Sequence, residues 1–346
     1  MGLRAGAFIS CYYLCCLLLV ASKPRLHYGR CHGESTRGLC LPSDECLEER
    51  RYHHAVDECF QLVCCLMKPT AYSQLTEDYC RIEPVPRIAN GVVTNIREFP
   101  WMAMLLYSND GKNFEPKCGG SLVDKKWIVT AAHCVSTSGN GQSAPPLLRV
   151  RLGEWDSRVT SDHTHEYSIA RTIVHEQYLP SEHTTGSDLF QYSNDIALLE
   201  LRESVNYTEY VQPVCLPHLP TGIASRTDAY ANNYLTISGW GRTSERSLEV
   251  SPVKVKALVS GWSMMDCKKH YADVGPGQMC AGGSRLSGQA ASCQGDSGGP
   301  VIDDNQLVGI ISLGKYRCGS LTGPMVFTRV DHYVTWLEKT IKSNAK

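Results

Sequence analysis

Ser292-Cys-Gln-Gly-Asp-Ser-Gly-Gly-Pro300 is the stretch from which the rest of the chain can be read. Ser297 stands between Asp296 and Gly298, and the glycines around it permit a tight turn that side chains would block. Such a turn exposes the Ser297 hydroxyl and leaves the N–H groups of Gly295 and Ser297 facing one point, where a negatively charged oxygen can be held. A serine hydroxyl is a weak nucleophile, so this chemistry requires a histidine to take its proton and a carboxylate to orient that histidine.

Both have candidates. His133 lies in Trp127-Ile-Val-Thr-Ala-Ala-His-Cys134, an apolar run that reads as a buried strand leading into a small-residue turn. Asp195 lies in Asn194-Asp-Ile-Ala-Leu-Leu-Glu-Leu201, where the acid is followed by a strand-like apolar run. Three segments in the order His, Asp, Ser resemble the chymotrypsin and trypsin family of serine proteases. Cys118-Gly-Gly-Ser-Leu122, Arg151-Leu-Gly-Glu-Trp155, Ile237-Ser-Gly-Trp-Gly241 and Met279-Cys-Ala-Gly-Gly283 extend the resemblance over nearly all of residues 88–346. It implies a mostly β fold of two six-stranded barrels with the site in the cleft between them. It also implies a serine endopeptidase in which His133 is the base, Asp195 orients it and Ser297 attacks. The runner-up is a weakly active or non-enzymatic cofactor that uses a protease body to bind other proteins. The complete set of His133, Asp195 and Ser297 argues against it.

Short apolar runs at 127–130, 147–152, 196–201, 235–238 and 307–312, separated by Gly, Pro, Asn and Ser, independently suggest antiparallel strands. Tyr333, Trp336, Leu337 and Ile341 fall at helical spacing and predict one amphipathic helix near the C-terminal end.

Length and cysteine content divide the chain further. Its 346 residues suggest one large unit and a small one, and a net charge of -1 argues against a nucleic-acid partner. The 17 cysteines would be a liability in a reducing compartment. Residues 1–22 combine Arg4, an apolar run from Ala5 to Ala21 and the small pair Ala21-Ser22, which reads as a cleaved secretory signal rather than a membrane anchor. Removing its Cys11, Cys15 and Cys16 leaves 14 cysteines, an even number suited to complete pairing.

Residues 23–65 carry six of these, Cys31, Cys40, Cys46, Cys59, Cys64 and Cys65, in a segment too small to bury much core. Bridges must hold it together, each worth about 2–5 kcal/mol, while adjacent Cys64 and Cys65 are poorly placed to bond each other. Six cysteines ending in a doublet upstream of a protease resemble the clip domain of arthropod serine proteases, a docking and regulatory module. That resemblance implies bonds Cys31–Cys64, Cys40–Cys59 and Cys46–Cys65. It implies Cys118–Cys134, Cys267–Cys280 and Cys293–Cys318 in the protease, and Cys80–Cys215 as the tether between the two after cleavage. All 14 are then used. The partners it implies are protein substrates, an upstream activating protease, serpin inhibitors and proteins that dock on the clip domain, in a secreted cascade such as innate immunity. No membrane partner and no metal are implied.

Residues 66–87 turn polar, with Pro69, Pro84 and Pro86, and read as an exposed linker. It ends in Val85-Pro-Arg87 before Ile88-Ala-Asn-Gly91, which resembles the family's activation junction. Cleavage after Arg87 would free the Ile88 amine to pair with Asp296 and organise the Gly295 turn.

In one respect the pattern departs from trypsin. The position six residues before the nucleophile, where trypsin-like enzymes hold an aspartate, is Ala291, so no carboxylate awaits a basic side chain. Opposite it, Gly314 leaves one wall open and Met325 replaces the usual glycine. This pocket reads as small and apolar, suited to Ala, Val or Leu; the alternative is an occluded one. Asp303 and Asp304 are expected to face solvent. Loops 135–146 and 177–193 are long and flank the expected cleft. The acidic loop 154–166 reads as solvated, with calcium at Glu154 the alternative. Asn206-Tyr-Thr208 is a glycosylation sequon.

Overall fold

The computed structural model describes residues 92–136, 145–159, 161, 163–179, 193–217, 228–242, 249–282, 295–313 and 323–344, together with the backbone of 30–32, 37–41, 51–52 and 63–66. The chain divides into two compact units after Pro69. In the first, β1 (Arg30–His32), β2 (Arg37–Leu41), β3 (Arg51–Tyr52) and β4 (Val63–Leu66) form an antiparallel sheet in the order β1-β2-β4-β3. Cys31 lies opposite Gly38, and Cys40 opposite Cys64, in its registers.

The second unit begins, among the described residues, with β5 (Val92–Val93). A first barrel follows, built from β6 (Met102–Tyr107), β7 (Glu115–Asp124), β8 (Trp127–Thr130), β9 (Leu147–Leu152), β10 (His165–Val174) and β11 (Ala197–Leu201). It closes in the order β10-β11-β8-β7-β6-β9, every pairing antiparallel. The strands expected at 127–130 and 147–152 are found there. The expected strand at 196–201 starts one residue later, because the Ile196 N–H is taken by Asn194 O in a tight turn.

A second barrel uses β12 (Tyr234–Gly239), β13 (Val255–Gly261), β14 (Gln278–Gly282), β15 (Pro300–Asp303), β16 (Gln306–Leu313) and β17 (Met325–Arg329). The order β12-β15-β16-β17-β14-β13 is closed by pairing of β12 with β13, and β5 adds to the outer edge of β13. A short helix α1 (Met264–Cys267) precedes β14, its Ser263 side chain accepting from the Asp266 N–H as a cap. The chain then leaves β17 directly into α2 (Val330–Asn344).

Two large apolar clusters fill the barrels, and the first extends onto Ile302, Leu307 and Ile310 of the second barrel. The first packs Met102, Leu105, Leu122, Ile128, Val150, Leu152 and Leu198, and Val330, Tyr333, Leu337 and Ile341 of α2 join the same cluster. The second packs Leu235, Ile237, Val259, Met279, Val301, Val308 and Phe327. At about 1.5–3 kcal/mol for each large side chain removed from water, this burial is the main force holding the scaffold. Two of the expected disulfides lie within the described residues: Cys118–Cys134 joins β7 to the turn after β8, and Cys267–Cys280 joins α1 to β14. Cys215 is also disulfide-bonded, to a cysteine outside the described residues.

Charge is buried where three segments meet. β13 carries Lys256 inward to Glu98, Nζ to Oε1 2.6 Å. Lys254 is 3% exposed and gives its backbone N–H to Trp155 O while its own carbonyl accepts from both Thr94 N–H and the Thr94 hydroxyl. Glu154, also 3% exposed, accepts from Arg151 and from the Trp155 N–H. Arg151 is shared with Glu166, which Arg149 also holds, so three carboxylates face four cations, and among the described residues Lys254 is the surplus one. Glu154 is therefore buried rather than solvated, its carboxylate shared between Arg151 and the Trp155 N–H. Asp156 is paired with Arg158, and Asp162 lies outside the described residues.

Burial lowers the Lys254 pKa to about 7, and the charges of Glu98 and Glu154 offset only part of that. Below that value the lysine is charged folded or unfolded, and the cost of burying it is felt in full. As pH rises toward the ordinary lysine range, only the unfolded chain keeps the proton, so stability increases. Lys254→Met is expected to raise Tm by about 5 °C at pH 6 and to flatten the rise between pH 7 and 10, read by calorimetry. A variant less stable than the parent at pH 6 would contradict this account.

Candidate active site

His133 sits in a 3-10 turn, Ala132–Cys134, that follows the fully buried β8. Small, buried Ala131 and Ala132 let the chain turn tightly there. The Tyr107 hydroxyl donates to Cys134 O at 2.7 Å, and Thr130 Oγ1 donates to Gly119 O at 2.8 Å, so the turn is pinned on both sides.

Asp195 enters from the segment before β11 and is 1% exposed. Its Oδ1 accepts the His133 backbone N–H at 2.9 Å, and its Oδ2 lies 2.7 Å from His133 Nδ1. A carboxylate only accepts, so Nδ1 carries the proton and Nε2 is the basic nitrogen of the neutral ring. The Ser312 hydroxyl donates to the same Oδ2 at 2.5 Å, and the Thr328 hydroxyl donates to Asp195 O at 2.7 Å. Burial opposes ionisation of Asp195, but His133, Ser312 and the His133 N–H outweigh it and keep the carboxyl below its ordinary value. Burial likewise opposes the imidazolium, yet the Asp195 charge and hydrogen bond hold His133 above the ordinary imidazole value. The pair is set up to accept a proton at Nε2 and to stabilise the cation that results.

Ser297 is brought to this pair by backbone contacts. Its carbonyl accepts the Gly119 N–H at 2.7 Å, and the Gly298 N–H donates to Ile311 O at 2.7 Å. Gly119 adjoins Cys118, which is bonded to Cys134, the residue after His133. Gly298 has φ +77, and a Cβ there would lie 2.3 Å from Thr130 Oγ1 and 3.2 Å from Cys134 Sγ. The serine turn therefore rests directly on the histidine turn, and only glycine fits between them. Gly295 has φ +101, and its N–H and that of Ser297 are not used in hydrogen bonds among the described residues. A carbonyl oxygen presented to them would find two donors.

The half-buried Asp296 lies against the glycines at the end of β12, its Oδ1 accepting the Gly241 N–H at 2.7 Å. Glycine is required beneath it: a Cβ on Gly241 would lie 2.4 Å from Asp296 Oδ2, and one on Gly239 2.2 Å from Oδ1. Arg87 and Ile88 lie outside the described residues, as do Ala291, Gly314, Cys293, Cys318, Cys80 and most of the two long loops. Met325 is described and is 5% exposed, on the same face of β17 as Phe327 and within the second-barrel cluster.

Asp303 corrects an expectation. Instead of facing solvent it is 2% exposed at the end of β15, where its Oδ2 accepts from Asn233 Nδ2 at 3.0 Å. The β15–β16 hairpin turns its side chain inward, and that amide satisfies it. Asn206 is exposed, and Thr208 of its sequon accepts the Tyr210 and Val211 N–H groups through its hydroxyl. Cys118, His133 and Cys134 lie together, but both sulfurs are spent in the disulfide, leaving no metal-binding donor set there.

Sequence reasoning passed over Ser312 and Thr328 as partners of Asp195. A hydroxyl buried within an apolar strand is the signal that could have found them, since it must have a hydrogen-bond partner.

The trypsin family model matches residues 88–337. A CLIP domain-containing serine protease, B4, of Anopheles gambiae is 33% identical over 298 residues, spanning 81% of this chain and 78% of that one. The Spaetzle-processing enzyme of Drosophila melanogaster is 28% identical over 377 residues, spanning 96% and 87%. Among solved structures, neuropsin, a serine protease of mouse brain, superposes with a TM-score of 0.58 at 31% identity, covering 73% of this chain and 100% of its own.

Proposed function

The chain belongs to the trypsin family of serine proteases and is a serine endopeptidase, and from that premise we propose a secreted zymogen, activated by cleavage after Arg87, that cuts extracellular cascade proteins after small apolar residues. The observation that carries the reading is the buried Asp195–His133 pair with the Ser297 turn resting against it. Ser297 Oγ attacks the scissile carbonyl carbon as His133 Nε2 takes its proton. Gly295 and Ser297 N–H groups hold the oxyanion. Collapse expels the amine, which receives the proton from His133, and water releases the acyl group by the same steps in reverse order.

In this reading, residues 1–22 direct secretion, 23–65 form the clip domain, 66–87 the cleaved linker and 88–346 the protease. Among the described residues no helix is long and apolar enough to cross a membrane. The Spaetzle-processing enzyme acts, by its name, on another protein, which favours a cascade role here. An upstream protease would cut after Arg87, and serpins and clip-docking proteins would regulate the product. Cys80–Cys215 would keep clip domain and protease together. Ala291, Gly314 and Met325 would form the small apolar pocket, and Asn206 would carry a glycan.

Recombinant protein cut after Arg87 is expected to be labelled at Ser297 by a fluorophosphonate and to cleave peptides after Ala, Val or Leu. Cleavage after Arg or Lys instead would overturn the pocket assignment and keep the chemistry. Correctly cut protein with neither labelling nor turnover would overturn the protease mechanism in favour of a binding cofactor.

A further inference from the structure

The segment Asn194–Ile196 is held more tightly than an orienting carboxylate alone requires. Asn194 has φ +52, a left-handed conformation unusual for a side-chain-bearing residue, and its carbonyl closes a tight turn on the Ile196 N–H at 2.8 Å. Such strain costs about 1–3 kcal/mol and persists only where the surroundings enforce it. Here they do so through the Asn194 side chain. Its Oδ1 accepts from the Tyr333 hydroxyl of α2 at 2.9 Å, and its Nδ2 donates to Gln177 O at 2.8 Å.

These contacts close a ring around the turn. The Gln177 N–H donates to His175 Nδ1, and the His175 N–H donates to Ile196 O at 3.1 Å. The His175 ring packs edge-on to Tyr333 at 5.3 Å and tilted against Trp336 at 5.0 Å. Tyr333 cannot withdraw. It is 4% exposed, and Gly277 lies so close that a Cβ there would sit 2.2 Å from its hydroxyl. Burial pushes the phenol up to about 12, with the Asp195 charge acting in the same direction, so it remains a donor at working pH.

We propose that Tyr333 and Asn194 are positioning residues for Asp195, so that the C-terminal helix takes part in catalysis by fixing the carboxylate beneath His133. This rests on the reading of Asp195 as the group that orients the base. Ser312 and Thr328 hold Asp195 itself from the second barrel, and the Tyr333–Asn194 contact holds the residue immediately before it. Docking of α2 itself is carried by Val330, Leu337 and Ile341 in the core, so loss of one hydroxyl leaves the helix seated. A misplacement of about 1 Å in a reacting constellation can cost on the order of 100-fold, so even a fraction of that displacement is measurable.

The test uses the full chain cut after Arg87 and follows fluorophosphonate labelling of Ser297, which requires no assumption about the pocket. Its maximal rate and half-saturating concentration serve as kcat and KM. Tyr333→Phe is expected to lower the maximal rate about tenfold with half-saturation unchanged. The acid limb of its pH profile should move to lower pH, because a looser Asp195 stabilises the imidazolium less. Asn194→Gly keeps the left-handed backbone but loses both side-chain bonds, and should do the same. Wild-type maximal rates in both variants, with only a lower Tm, would overturn the positioning role. Asp195→Asn separates the two layers: if it is slow while both variants are normal, this inference alone fails. If Asp195→Asn itself labels at the wild-type rate, the parent reading fails and this one with it.

Discussion

Asparagine in place of Asp195 is expected to lower kcat by about 10⁴-fold while leaving KM and the fold intact. Three donors converge on the two carboxylate oxygens: the His133 N–H on Oδ1, and both His133 Nδ1 and the Ser312 hydroxyl on Oδ2. An amide offers only one accepting oxygen. If that oxygen stays with the backbone N–H, the NH₂ group faces Nδ1, and the ring must carry its proton on Nε2 instead. The nitrogen meant to receive the Ser297 proton is then already occupied. Turnover of a peptide substrate by cut protein, beside circular dichroism, measures this directly, and a loss below tenfold would show that Asp195 does not set the tautomer. The same geometry fixes the sign of the pH dependence. In the proposed mechanism the working base is neutral His133, whose pKa is raised, so activity should appear only as pH climbs past that elevated value.

The second large effect is expected at Asp296. In protein cut after Arg87, Asp296→Asn should reduce kcat/KM by about 100- to 1,000-fold, the loss associated with an oxyanion donor out of place. The physical reason is local. Asp296 joins the Gly295 turn to the Ser297 turn, and its carboxylate rests on Gly239 and Gly241. Exchanging the charge for an amide removes what a new Ile88 ammonium would pair with. Gly241→Ala attacks the same seat from below, since its Cβ would meet the carboxylate at 2.4 Å, and it should give a loss of similar size. Arg87→Gln provides the control. In protein that cannot be cut, adding Asp296→Asn should change the residual labelling rate little, because the ammonium is never released. Full additivity of the two substitutions would argue that Asp296 acts independently of activation.

Elements whose apolar residues run together or recur at the period of the element were legible in the sequence. Trp127–Thr130, Leu147–Leu152 and the α2 stripe of Tyr333, Leu337 and Ile341 declare themselves because hydrophobicity repeats at the period of the element. β10 does not, since Glu166, Ser168 and Arg171 face outward along it and its sequence resembles a polar loop. The sequence loop expected over 154–166 accordingly ends where β10 begins, at His165. α1 has only the Ser263 cap and Asp266 to announce it, too little for a four-residue helix. In the candidate site, motif and order single out His133, Asp195 and Ser297, and the structure brings the first two into contact. Their support is invisible to local reading, because Ser312 and Thr328 reach Asp195 across 117 and 133 residues of chain. The buried Asp303 and the surplus charge on Lys254 are illegible for the same reason: only the closed barrels decide which polar side chains lose water.

The Cys118–Cys134 bond has a chemical consequence for where such a molecule can operate. It spans the two surfaces that must stay in contact, the strand that receives the Ser297 carbonyl through Gly119 and the turn that carries His133. The link between base and nucleophile is thus covalent as well as packed, and its integrity depends on the oxidation state of two sulfurs and not only on apolar burial.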